Sequence, residues 1–105
     1  MREPTFFTLA ALLEGPLHGY GVIKRAEELS GGRVRMAAGT LYAALERLDT
    51  EGLVRIVDER VVGGRARRYY ELTAEGTTAL ETAAERMAQA ARVVTSRRLG
   101  KVRPA

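Results

Sequence analysis

The stretch from Val61 to Thr73, VVGGRARRYYELT, holds the side chains best suited to chemistry in this chain. Gly63 and Gly64 are followed by Arg65, Arg67 and Arg68, then by Tyr69 and Tyr70. A guanidinium stays charged at any physiological pH, and its planar fork of N–H donors matches phosphate oxygens. From Arg60 to Tyr70 there are four arginines and no acid. Such a stretch suits a polyanion.

Other chemistries find few residues. The absence of cysteine excludes a disulfide scaffold, a thiolate metal site and a cysteine nucleophile. His18 is the only histidine, so neither a histidine-rich metal site nor a catalytic triad can be assembled, and a structural place at the start of a helix is expected for it. No paired carboxylates stand in a pocket-forming context. Gly63-Gly64 lacks the strand-to-helix setting of a nucleotide loop. The sequence therefore points away from an enzyme.

At 105 residues the chain has room for one domain and one modest core. Hydrophobic residues make up 46% and charged residues 29%, a globular composition. Seventeen Lys and Arg against thirteen Asp and Glu give a net charge of +4. The isoelectric point is near 10.0. The apolar patch near the N-terminus is too short to span a bilayer and reads as a core helix. A cytoplasmic protein without membrane contact is expected.

The elements that must position the arginines follow from periodicity. Pro4 fits the first turn of a helix, and Phe6, Leu9, Leu12 and Leu13 recur at helical spacing until Gly15-Pro16. A second helix begins near His18, with Val22, Ile23, Ala26 and Leu29 on one face and Gly31-Gly32 as its stop. RVRM, residues 33–36, is an extended connector able to add a brief edge strand. A third helix covers about Ala38 to Glu51, with Leu41, Leu45 and Leu48 facing inward. The period then drops to two. LVRIVDER and ARRYYELT read as two strands, joined by a glycine turn. Thr73 can cap a last helix from about Ala74 to Arg98. Its residues Leu80, Ala84, Met87, Ala91 and Val94 form a heptad seam, too long to be buried on so small a domain.

The order is three helices, a hairpin and a long helix. It predicts a mainly α fold with a small β-hairpin: a winged helix-turn-helix over residues 1–73, a dimerisation helix over 74–98 and a basic, disordered tail over 99–105. In such a motif the start of the second helix enters the major groove. That places Ala38, Gly39, Thr40, Tyr42, Ala43 and Arg47 at DNA. The small residues permit close approach, Ala43 can meet a thymine methyl, Thr40 and Tyr42 offer hydroxyls, and Arg47 is the one long basic side chain. The hairpin is the wing, placing Gly63, Gly64, Arg65, Arg67, Arg68 and Tyr69 along the backbone or in a minor groove. Arg67 and Arg68 must point to opposite faces, so one of them should contact DNA less well. One of Tyr69 and Tyr70 must face the core. The dimer interface is expected at Phe6, Leu9, Leu80, Ala84, Met87, Ala91 and Val94.

Together, HGYGVIKRAEEL, GTLYAALERLDTEGLV and GGRARRYYELTAEG resemble the PadR family of bacterial transcriptional regulators across roughly residues 5 to 80. The resemblance implies a homodimeric winged-helix repressor on a DNA operator with dyad symmetry. It matches Thr40 and Tyr42 to the recognition helix, Gly63, Gly64, Arg65, Arg67 and Arg68 to the wing, and Tyr69-Tyr70 to its base. The single long helix resembles the short branch of the family. Two departures stand out. Ala37 occupies a position where Ser or Asn is the usual cap. Some short members stack flat aromatic ligands on a tryptophan in the long helix, whereas this chain has none and places Met87 there. No cofactor is expected. A small apolar effector where the long helices cross would be one means of releasing DNA. The rival reading is a winged-helix module that binds protein and not DNA.

Overall fold

The computed structural model, which describes residues 1–99, has seven elements. They are α1 (Glu3–Ala10), β1 (Leu17–His18), α2 (Gly19–Leu29), α3 (Ala38–Thr50), β2 (Val54–Val62), β3 (Arg65–Leu72) and α4 (Ala74–Leu99). Pro4 lies in the first turn of α1, where its missing N–H costs no bond. The helix ends earlier than expected, because Leu12 N–H and Leu13 N–H turn to the i−3 carbonyls of Leu9 and Ala10 at 3.0 and 3.1 Å. That tightening shifts the helical phase. Leu12 stays buried, but Leu13, expected on the apolar face, is exposed.

Both later helix ends are closed by glycine. Gly31 and Gly32 have φ of 65° and 87°, and Gly52 has φ of 79°. Gly32 N–H reaches Glu27 O at 2.8 Å and Leu53 N–H reaches Leu48 O at 2.9 Å, so α2 and α3 each end in the 6→1 bond of a Schellman motif. The α2–α3 turn is stitched by Ser30, whose hydroxyl donates to Glu27 O and accepts Val34 N–H at 2.9 Å. Val34 is thereby buried and its N–H is taken, and residues 33–36 form no strand. The third strand is β1 instead. Leu17 and His18 pair antiparallel with Tyr70 and Tyr69, giving the sheet order β1-β3-β2.

The core lies between α1, α2, α3 and the base of the sheet. Leu9, Leu12, Val22, Leu41, Leu45, Leu48, Val54, Tyr70 and Leu80 form one buried cluster. Tyr70 is thus the inward member of the tyrosine pair. Leu29, expected on the inner face of α2, is exposed near its end.

Residue 73 joins the end of α3 to the start of α4. Thr73 Oγ1 accepts Gly76 N–H at 3.0 Å as the cap of α4 and donates to Gly52 O at 2.6 Å. Thr73 N–H donates to Leu53 O at 3.1 Å. Gly76 permits this approach, since a Cβ there would overlap the Leu53 carbonyl oxygen and lie 2.9 Å from its carbon. Beyond Leu80 the helix leaves the domain. Its 26 residues span about 39 Å. From Glu81 to Arg97 its side chains are exposed, apart from partly covered Ala83.

Candidate nucleic-acid interface

Burying Leu41, Leu45 and Leu48 on one side of α3 fixes what the other side presents. Gly39, Thr40, Tyr42, Ala43, Glu46 and Arg47 are exposed, and Ala38 is half-buried at the start. Ala37 is the N-cap and makes no side-chain bond, so the first N–H groups of α3 have no capping acceptor from it. Tyr42 is less free than its exposure suggests. Its ring stands against Gly19, where a Cβ would come within 2.5 Å of the hydroxyl oxygen and 2.6 Å of Cζ. Arg47 folds back within the chain, donating to Thr5 Oγ1 at 3.2 Å and lying 3.8 Å from the Glu51 carboxylate.

Gly63 and Gly64, with φ of 58° and 78°, make a two-residue turn with positive φ at both positions, the type I′ signature. This turn sets the register. Val62 faces Arg65, Arg60 faces Arg67 and Glu59 faces Arg68, down to a bulge at Val57 between Ile56 and Asp58. The register changes the electrostatics expected from the sequence. Arg68 meets Glu59 at 3.2 Å, Arg60 meets Asp58 at 2.7 Å, and Arg55 is bound by Glu71. Two arginines of the stretch without acids thus meet carboxylates, Arg68 from the partner strand and Arg60 from two residues back on its own strand. Among the described residues, Arg65 and Arg67 have no ion-pair partner.

The two faces of the wing differ. Arg68 shares a face with Tyr70, near Tyr42 and Asp49 of α3. Burial pushes the Tyr70 hydroxyl above its ordinary range, against the opposing effect of the Arg68 guanidinium. The other face carries Arg67, Tyr69 and Arg60. Arg60 lies 5.0 Å from the centre of the Tyr69 ring, and His18 meets that ring edge-on at 5.5 Å. The tip exposes apolar groups too, with Val61 77% accessible.

The residues expected at a dimer interface divide. Leu9 and Leu80 are buried in the chain's own core, and Phe6 packs against that core. Core packing within the chain therefore already uses Leu9 and Leu80. Ala84, Met87, Ala91 and Val94 are exposed on the outer part of α4, where Met87, Val93 and Val94 are 40%, 69% and 64% accessible.

Sequence reasoning missed the carboxylates of the wing and the joint at His18. Counting back from a two-residue glycine turn would have set Glu59 opposite Arg68. No comparable signal places the His18 ring on Tyr69, because a strand of two residues has no period.

No helix among the described residues is long and apolar enough to cross a membrane. Comparison with known proteins places the whole arrangement. A sequence model of the "Transcriptional regulator PadR-like family" matches residues 8–82. A transcriptional regulator of Mycobacterium tuberculosis is 48% identical over 54 residues, 51% of this chain and 50% of that protein. The chain spans about half or less of the curated relatives it matches. A PadR family transcription regulator from Clostridium difficile superposes with a TM-score of 0.74 at 23% identity, over 90% of this chain and 97% of that one. Bacillus subtilis PadR, solved in complex with operator DNA, gives a TM-score of 0.67 at 21% identity, over 99% of this chain and 50% of that one. These likenesses agree with three helices, a three-stranded winged sheet and a long terminal helix. The chain belongs to the PadR-like family of transcriptional regulators.

Proposed function

We propose that this protein binds double-stranded DNA as a homodimer and acts as a repressor on an operator with dyad symmetry. Residues 1–73 would read DNA and residues 74–98 would pair two copies. The observation that carries the reading is that one chain presents both an exposed outer side of α3 and a glycine-tipped wing on which Arg65 and Arg67 have no ion-pair partner among the described residues. Ala38, Gly39, Thr40, Tyr42 and Ala43 would enter the major groove, with Thr40 and Tyr42 offering hydroxyls to phosphates. Gly63, Gly64, Arg65, Arg67, Arg68 and Tyr69 would track the flanking backbone. Arg68 must share its guanidinium with Glu59, so Arg67 is the stronger contact of the two. Arg47, held by Thr5 and Glu51, would contribute least.

The exposed Ala84, Met87, Ala91 and Val94 support pairing, since one copy alone leaves this seam in water. Operator DNA bound to Bacillus subtilis PadR, which shares the fold, agrees with the reading. An apolar ligand lodged between paired helices would alter the spacing of the two reading heads and release DNA. The cytoplasm is the compartment such a role requires.

Selection from a random pool of duplexes, followed by fluorescence anisotropy, tests this. The expected outcome is enrichment of a two-fold symmetric sequence. About three to five phosphates engaged per half-site would make affinity fall steeply with salt. Failure to enrich any duplex, together with a protein partner bound equally at low and high salt, would favour the protein-interaction module instead.

A further inference from the structure

We propose that His18 is a positioning residue for DNA binding. Its neutral ring locks the base of the wing to the start of α2 and, through Gly19, to Tyr42 of the recognition helix. A proton on His18 therefore loosens the grip on DNA. The proposal rests on the DNA-binding reading above.

Three contacts meet at this residue. His18 is the N-cap of α2, and its Nδ1 accepts Gly21 N–H at 3.4 Å. Its backbone pairs with Tyr69 of β3, and its ring meets the Tyr69 ring edge-on at 5.5 Å with an interplanar angle of 87°. The next residue, Gly19, is buried directly under Tyr42 of α3. One short segment thus touches the wing, the helix behind the recognition helix, and the recognition helix itself. Nδ1 can accept a bond only while it is unprotonated. Protonation would end the cap and place an imidazolium charge near the Arg67 guanidinium.

The surrounding charges have one dominant sign. From β3 come Arg67 and Tyr69. From β2 comes Arg60 on the Tyr69 ring, with Asp58 bound to its guanidinium. From α3 comes Tyr42 over Gly19. Burial and the Arg67 charge both lower the pKa of His18 from its ordinary value of 6.5. Folded protein therefore takes up this proton less readily than the unfolded chain. Stability from this group is complete above pH 6.5, declines as pH falls below that value, and levels off once the folded group is also protonated.

The predicted effect on DNA runs against the usual one. Acidification adds positive charge, which ordinarily strengthens binding to phosphate. Here it would weaken binding, because the added charge dismantles the joint. If DNA requires the locked joint, linkage requires DNA to lower the His18 pKa further. Each unit lowered corresponds to a loss of about tenfold in affinity under acid conditions.

The test uses the full chain and a duplex that wild-type protein selects from a random pool. His18 is the only histidine, so its Hε1 proton gives a single NMR titration. Wild-type affinity should fall about threefold to tenfold between about pH 7.5 and 5.5. His18→Asn keeps a capping acceptor without a titrating ring, so it should bind well at neutral pH with a flat profile. His18→Ala should bind poorly at both. The duplex should move the wild-type NMR midpoint further down, a readout that does not depend on any variant folding. A midpoint that rises or stays, or a wild-type profile shared by His18→Asn, would overturn the role of His18 while leaving DNA binding standing. A pool yielding no duplex would overturn both readings.

Discussion

The winged core and the two projections that leave it, the wing tip and the outer part of α4, are governed differently. In the core, apolar periodicity finds its partners within the chain. Leu41, Leu45 and Leu48 meet Leu9, Val22 and Tyr70, and the heptad seam of α4 contributes Leu80 to the same cluster. One heptad later the same seam presents Met87 to solvent. Polar groups show a similar division. Thr8, Ser30 and Thr73 bond within a few residues or across one junction, whereas Arg65 and Arg67 have no acidic partner among the described residues. The core satisfies its interactions within the chain, and the projections leave theirs exposed.

Substitutions can break or sharpen this division. The largest effect is expected in the core at Gly76→Ala, because the added methyl would collide with backbone and not with a movable side chain. A loss of at least about 3 kcal/mol in urea unfolding is expected. Leu80→Ala should cost about 2–4 kcal/mol by cavity formation. Met87→Ala, one heptad on and exposed, should change protomer stability by less than about 0.5 kcal/mol. Equal costs at residues 80 and 87 would erase the contrast within α4.

For the projections, Met87→Asp combined with Val94→Asp should shift sedimentation from dimer to monomer while circular dichroism stays unchanged. Arg67→Ala should weaken DNA binding about fivefold and reduce the salt slope by about one. The smallest effect is expected for Glu59→Gln. It would free Arg68 from its ion pair and strengthen binding about twofold, since exposed pairs are worth about 0–1 kcal/mol. Weaker binding by Glu59→Gln would show that the carboxylate serves to orient Arg68.

Much of this division was legible in the sequence. The leucines of α3, the glycine stops, the hairpin and the long helix all follow from period and turn chemistry. Three things were not. Leu13 left the apolar face because α1 tightened into i→i+3 bonds, a change of phase that spacing alone does not reveal. The third strand came from Leu17-His18, two residues with no pattern of their own, while Val34 was claimed by the Ser30 hydroxyl. Charge density along the chain overstated the wing, because Glu59, nine residues before Arg68 in sequence, lies opposite it across the hairpin, and Asp58 holds Arg60 from the same strand. Leu80 lies on the heptad seam and is buried within its own chain. A heptad seam marks which residues will be covered and not which chain covers them. Leu99 closes α4, and the tail expected to be disordered lies, from residue 100 onward, outside the described residues.

The salt dependence of binding to the selected duplex, for wild type beside the double variant Arg65→Ala, Arg67→Ala, tests the central claim most directly. The account predicts that the slope of log affinity against log salt becomes shallower by about two per half-site, with the preferred sequence unchanged. An unchanged slope, or a changed sequence preference at full affinity, would contradict it.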